Sequence, residues 1–487
     1  MKLISNLLLL GGILVLPLNS YAQFTKGLSY RAETGVSFSG GEHTPFWLTA
    51  NKQGLSSIEK NNGYLRAGVF RELEKDKPFS YAFGADLAVA YNFTSTFVVQ
   101  QLYADLKYRC LGLSIGSKER HSEFNNPFLS SGGLTFSGNA RPIPQVRIGI
   151  PEYTLVPGTK GWLAFKGHIA YGMFTDDGWQ KDFIAPGSKH TEHVLYHSKD
   201  LYVKIGNREK FPLIFEGGLE MAAQFGGNAF VGDKKIDMPN GIKDFFKVFI
   251  PSGGDSSTPT GEQTNVYGNH LGSWNFSLTW HAPKNWTIRP YYEHYFEDHS
   301  QMFGEYGWKD CLAGIEITFP KNRVIGSFVY EYISTKDQTG AVYWDHTSEI
   351  PEQVSGTDNY YNHYIYAGWQ HWGMGICNPL VMSPIYNDDG EIVFKSNRLQ
   401  GHHFGVMGNP ICDLRYRILL SLTRNWGTYG LPFYEIKKNG NALVELTYTP
   451  HQLKGWDFTG SLGVDRGGML GKSAGGMLTI RKTGWIR

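Results

Sequence analysis

The chain has 487 residues and a formal net charge of +2, and it combines 15 % aromatics with 59 glycines. That charge argues against a dedicated nucleic-acid binder. Beyond the N-terminal region no run of about 18 apolar residues occurs, which excludes a membrane-spanning helix. Spanning by a closed β-barrel stays open, because paired strands satisfy their own backbone groups. A barrel with aromatic girdles and a polar interior has this composition, and so does a large soluble β-protein.

Residues 1–22 read as an export signal: Lys2 gives a positive start, Leu7 to Leu16 an apolar run, and Ser20-Tyr21-Ala22 small residues where a signal peptidase reads. The mature chain is expected to begin at Gln23, with no nearby Cys for a lipid anchor. Residues 23–62 form an N-terminal segment with room for a first strand and, between His43 and Leu55, short periplasmic helices. The barrel is read as 63–487.

From Gly63 onward the pattern alternates. Trp274, Phe276, Leu278 and Trp280 share one face, with Asn275, Ser277 and Thr279 opposite. Thr287, Arg289, Tyr291, Glu293 and Tyr295 share a polar face. Asp413, Arg415 and Arg417 lie opposite Leu414, Tyr416 and Ile418, and Glu216 and Glu220 opposite Phe215, Leu219 and Met221. Side chains alternate across a strand, so each segment has a greasy and a polar face. A soluble sandwich would bury the greasy face; a barrel would turn it to lipid. The signal, strands of about ten residues and aromatics at strand ends favour an all-β transmembrane barrel; candidate strands number 18 to 20, and with even numbers the rule, 18 is expected. Short turns such as Pro283-Lys284-Asn285 and Pro450-His451-Gln452 are placed in the periplasm. The long connections 119–145, 175–198, 226–270, 335–360 and 373–397 are placed outside. Within 226–270, Ile242, Phe245, Phe246 and Phe249 fall at helical spacing.

Catalytic motifs such as GxSxG, HExxH or a P-loop are absent, and neither a metal site nor a cofactor is expected. His193 and His197 would stand about 13 Å apart on a strand, too far for one metal. The four cysteines permit three disulfide pairings, and free thiols fit equally well. Asp176-Asp177-Gly178-Trp179 offers carboxylates beside an indole, the chemistry that binds sugar hydroxyls and stacks on a sugar face, although Asp-Asp-Gly is also an ordinary turn. Trp344 and Asp345 in another loop offer the same pair, although membrane girdles also use Trp.

The run Ser137-Gly138-Asn139-Ala140-Arg141-Pro142-Ile143-Pro144-Gln145 is polar, then stiffened by two prolines, and reads as a constrained loop in or over a barrel. With Gly149-Ile150-Pro151-Glu152-Tyr153, Thr175-Asp176-Asp177 and Phe215-Glu216-Gly217-Gly218-Leu219-Glu220, it resembles the Wzi family of capsule-assembly proteins. Ser137, Gly138, Asn139, Arg141, Pro142 and Pro144 carry the most specific part of the match. The resemblance implies a barrel of about eighteen strands, a small periplasmic helical bundle and loops closing the outer mouth. It also implies a non-enzymatic surface lectin that organises capsular polysaccharide. The expected partners are that polysaccharide, outer-membrane lipid and lipopolysaccharide, and the barrel-assembly machinery, with no nucleic acid. An oligosaccharide-conducting porin is the main alternative, and an outer-membrane hydrolase a further one.

Overall fold

Period-two patterning becomes, in the computed structural model, a sheet that closes on itself. The structure describes residues 27–253, 258, 266–297, 299–303, 308–321, 324–338 and 358–486. The export signal expected at 1–22 lies outside them. The sheet has eighteen strands. They are β1 (Leu28–Gly41), β2 (Asn61–Arg71), β3 (Phe79–Tyr91), β4 (Phe97–Tyr108), β5 (Leu111–Ser117), β6 (Gln145–Leu155), β7 (Leu163–Met173), β8 (Leu195–Ile205) and β9 (Leu213–Phe225). There follow β10 (Asn269–Ala282), β11 (Trp286–Phe296), β12 (Cys311–Thr318), β13 (Ser327–Ser334), β14 (Leu399–Ile411), β15 (Leu414–Gly427), β16 (Pro432–Tyr448), β17 (Trp456–Gly467) and β18 (Gly471–Trp485). Every pairing is antiparallel between chain neighbours, and β1 closes on β18 from Ser29↔Trp485 to Gly41↔Ser473. Closure leaves no unpaired edge.

One end of the barrel carries both terminal strand ends and compact turns, including 109–110, 283–285 and 412–413. The other carries 42–60, 118–144, 174–194, 226–268, 297–310 and 335–398. Short turns belong to the periplasm and long loops to the outside. Three readings change. The barrel sheet starts at Leu28, ahead of Gly63. The helical turn α1 (Phe46–Thr49) follows β1 on the long-loop end, where it packs inside against β16 and β17, instead of standing in the periplasm. No barrel strand divides 335–360 from 373–397, because residues 358–398 turn inward as part of one connection. Among the described residues the short-turn end carries no helical bundle.

The two faces of the wall separate as alternation demands. On β10, Leu278 and Trp280 are exposed while Ser273, Asn275 and Ser277 are buried. On β15, Ile418, Leu420 and Leu422 are exposed, and Leu419, Ser421 and Thr423 face in. An outward belt of Val, Leu, Ile and Phe flanked by Tyr108, Trp280, Tyr448 and Trp485 at the short-turn end and Phe38 and Tyr91 at the other is a lipid-facing surface. The chain is therefore an integral outer-membrane barrel.

Inside, charges meet across strands, because an isolated charge in this interior would be costly. Asp86 on β3 takes Arg66 of β2, at 2.6 Å, and Arg31 of β1. Arg417 on β15 meets Glu445 on β16 at 3.0 Å, and Asp457 on β17 meets Arg481 on β18 at 2.6 Å. Asp413, expected on this wall, instead sits in a turn against His451.

The helix α2 (Asp177–Phe183) lies in the outer loops. A third helix, α3 (Ile242–Phe249), appears where its spacing places it, but on the outside of the barrel. Phe245 packs on Tyr171 and Phe225, and Phe249 on His197, all outward residues of β7, β9 and β8. Its other apolar stripe, Ile242, Phe246 and Ile250, is exposed.

Candidate functional site

The inward carboxylates of the wall grip the segment 118–144. Glu331 of β13 accepts hydrogen bonds from the Ser130 hydroxyl (2.5 Å), the Ser131 amide (2.7 Å) and Tyr291 (2.5 Å). Glu293 of β11 accepts from the Leu134 and Thr135 amides at 2.8 and 3.2 Å, and Glu316 of β12 from Asn126 at 2.7 Å. Plug and wall meet where side chains are absent: a methyl group at Gly405 would overlap the Leu129 carbonyl of 118–144, and one at Gly463 would press on Pro45 and Leu48 of the connection 42–60.

The motif residues 137–144 lie in this plug and serve as its knots. Ser137 donates to the Cys377 carbonyl at 2.6 Å, and Asn139 to the Gly375 carbonyl at 3.0 Å. The Gln53 and Gly54 amides donate to the Gly138 and Asn139 carbonyls. Arg141 donates to Thr94 and lies 4.3 Å over the Trp372 ring, and burial lowers its pKa to about 10. Pro142 and Pro144 carry the chain from the plug into β6. Three connections, 42–60, 118–144 and 358–398, are thereby knitted across the lumen around Leu129, Leu134, Tyr361 and Trp369, all fully buried. A lumen packed this way is a core, not a channel.

The second sequence candidate sits above the plug. Asp176 is fully buried: its carboxylate accepts from Gln370 at 3.0 Å and from the Trp372 amide at 3.2 Å, which docks the hairpin 370–375 against α2. Trp179 was expected to present an open ring. Instead it is 8 % exposed, stacked on Phe183 at 4.9 Å and packed with Ala367 and Ile392, because the 358–398 connection folds back over α2. Asp177 stays near the surface, accepting from the His193 amide at 3.0 Å, and burial raises its pKa. His371 joins these layers. The Arg141 carbonyl can only accept, so Nδ1 carries the proton and Nε2 accepts from Thr175 at 3.0 Å. Burial lowers its pKa, consistent with a neutral ring. Trp344 and Asp345 lie outside the described residues.

The structure opens a different space. A cavity of about 900 Å³ stands at the long-loop mouth, between the start of β10, the turn 428–433 and the segments 358–364 and 389–395. Asn359, Asn362, His363, Tyr364 and Phe433 line it, with Glu297, Asp358, Asp389 and Glu391 against Lys189 and Lys395. Its frame is fixed. Asn362 donates to and accepts from the Phe394 backbone at 2.9 and 2.8 Å, and Asn359 accepts from Asn397 at 2.6 Å. Glu297 accepts from Tyr295 at 2.6 Å and from the Tyr361 amide at 2.5 Å, and Asp389 pairs with Lys395. Burial lowers Lys189 to about 8, with its ammonium on the His363 carbonyl, and lowers His363 to about 3. Sequence reading missed this site. The run Asn359-Tyr360-Tyr361-Asn362-His363-Tyr364, amides alternating with aromatics, was the available signal.

Histidines 190, 193 and 197 do not converge. His190 stacks on Phe230, His193 faces solvent and His197 bonds the Ala170 carbonyl. Among the described residues no group of metal-ligating side chains occurs. All four cysteines are unpaired.

A plugged barrel with a polar, aromatic cavity at its outer mouth defines an outer-membrane surface protein in place of an open pore. The chain belongs to the Wzi family: the family model "Capsule assembly protein Wzi" matches residues 34–374. It resembles the solved Wzi of Escherichia coli, described as an outer-membrane protein involved in group 1 capsule assembly and as a carbohydrate-binding β-barrel. The identity there is 13 % and the TM-score 0.58, over 95 % of this chain and 86 % of that one. OprD of Pseudomonas aeruginosa is similar at 8 % identity and a TM-score of 0.46, over 95 % of each chain. OccAB3 of Acinetobacter baumannii is similar at 9 % and 0.45, over 94 % of this chain and 99 % of that one. No curated protein sequence matches.

Proposed function

We propose that this protein binds surface polysaccharide at the outer cavity and holds capsule on the cell without catalysis. The observation that carries the reading is the cavity's make-up: amides and carboxylates on a fixed frame beside exposed Tyr364 and half-buried Phe433 at the outer mouth. Aromatic faces take the apolar side of a sugar, and fixed amides and carboxylates take its hydroxyls. Four carboxylates against two lysines favour neutral or amino-bearing sugars over a uronic-acid polymer. Glu297 and Asp389 are committed to the frame, which speaks against the opposed acid and base that glycoside hydrolysis requires. Asp177, one loop away, is proposed as an edge contact. Asp176 and Trp179 are proposed to shape the site from beneath.

The test is the double change Tyr364→Ala and Phe433→Ala, with barrel assembly checked by heat-modifiable mobility. Binding of purified capsular polysaccharide to the solubilised barrel should fall at least tenfold, and cell-bound capsule should shift to the medium. Unchanged binding by a correctly assembled variant would remove this cavity from the proposal. The porin alternative predicts large stable conductance in planar bilayers, whereas the packed lumen predicts none.

A further inference from the structure

Four neighbouring strands carry an outward cation toward the long-loop end of their lipid-facing runs. On β15 the outward positions are Leu414, Tyr416, Ile418, Leu420 and Leu422, then Arg424. On β16 they run from Pro432, Tyr434 and Ile436 to Lys438, then through Gly440, Ala442, Val444 and Leu446 to Tyr448. On β17 they run Trp456, Phe458, Gly460, Leu462 and Val464, then Arg466. On β18 Lys472 precedes Ala474, Gly476, Leu478 and Ile480. Each cation lies at the long-loop end. A strand rises about 3.3 Å per residue and tilts by about 40°, so ten residues cross about 25 Å, the height of the lipid belt. The cations therefore stand at the outer headgroup level. The register groups them: Arg424 is opposite Lys438, and Arg466 is opposite Lys472 and Gly440.

All four are exposed, and among the described residues none pairs with a carboxylate. Glu42 lies beside Gly471, and no ion pair joins it to Lys472. Arg424 rests 5.4 Å from the Trp426 ring.

The wall beneath them is hollow. Gly40, Ala474, Val464, Ala442 and Leu420 are register partners across five strands, and they line a groove of about 800 Å³ with Gly440 and the bases Arg466 and Lys472. Space above Gly40 is open. One row toward the periplasm, Phe38 and Leu462 stand out from the wall on either side of Gly476.

We propose that this face binds a phosphorylated glycolipid of the outer leaflet, its phosphates on Arg424, Lys438, Arg466 and Lys472 and an acyl chain in the groove. Guanidinium and ammonium groups pair with phosphate oxygens. The small residues admit a chain that a larger side chain would displace. Charge complementarity and an apolar slot directly below it make a membrane lipid the fitting occupant, since free phosphate would use the cations alone.

The experiment uses the full-length barrel purified from outer membranes, with lipid A as the probe. Native mass spectrometry should show lipid A retained on the wild type. A variant with all four cations changed to Gln should retain at least tenfold less. So should Ala442→Phe with Ala474→Phe, which fills the groove and keeps the charges. Heat-modifiable mobility reports assembly of both. Offered in nanodiscs, dephosphorylated lipid A should compete poorly, and inorganic phosphate should not displace the bound lipid at constant ionic strength. Equal retention by the assembled Gln variant, or equal binding of dephosphorylated lipid A, overturns the proposal. Displacement by inorganic phosphate, or full retention by the filled-groove variant, overturns the acyl slot. Polysaccharide binding is not read in any arm, so the outer cavity stands or falls separately.

Discussion

Leu419 and Leu420 are consecutive on β15, yet one packs against the plug at 2 % exposure and the other faces lipid at 38 %. The same contrast runs along the barrel: the inner face is polar and densely hydrogen-bonded, and the outer is apolar and, away from α3, uncovered. In a soluble β-protein the bare face would be the defect. Here the bilayer supplies its solvent, and the inner face, sealed by the plug, behaves as the protein core. The identity of a residue matters less than the side of the wall it occupies.

The largest effect should come from a residue on the inner side of this contrast. Trp179→Ala would leave a cavity beneath the hairpin 370–375 and cost about 3–5 kcal/mol locally. Urea denaturation followed by loop-specific hydrogen exchange would read it, and Trp179→Phe should recover most of the loss. If Trp179→Ala weakened polysaccharide binding while the loops kept full protection, its ring would be a direct contact after all.

Leu278→Arg tests the lipid side and, one outward position from the Trp280 girdle, should cost about 1–2 kcal/mol. Its neighbour Ser277, 3 % exposed, should lose more, because Arg there overfills a packed interior even with Glu216 3.5 Å from the native hydroxyl. Folding into vesicles from urea compares the pair. Equal costs would break the distinction between the faces.

A pH effect should separate the outer loops from the wall. Burial holds Lys189 at about 8, below the ordinary lysine value of 10.5. The folded loops therefore prefer neutral Lys189. Their stability should be lowest below pH 8, rise between pH 8 and 10.5, and level off above. Exchange protection of residues 189–197 should follow that course, and Lys189→Met should abolish it.

The smallest structural effect is expected at Tyr364, which is 54 % exposed. Tyr364→Ala alone should change stability by about 0.5 kcal/mol or less, while polysaccharide binding falls several-fold. A large loss of stability instead would mark Tyr364 as part of the frame.

Much of the wall could be read from the chain because its code is local. The faces of β10, β11 and β15 follow from a period of two, which any stretch of ten residues displays. Spacing narrows the strand number to between 18 and 20 and separates most short connections from long ones, and the motif at 137–144 pointed to a constrained loop in or over a barrel. Only the tertiary structure decided what the long connections do. The buried carboxylate of Asp176 meets Gln370, 194 residues away, and the Ser137 hydroxyl meets the Cys377 carbonyl, 240 away. Such contacts leave no periodic trace, so nothing in Asp-Asp-Gly-Trp itself shows that its Trp packs against Ala367 and Ile392. The outer cavity and the basic row were hidden for the same reason: each gathers residues from several strands or loops, and neighbourhood across a barrel wall is set by register and closure, which no single segment records.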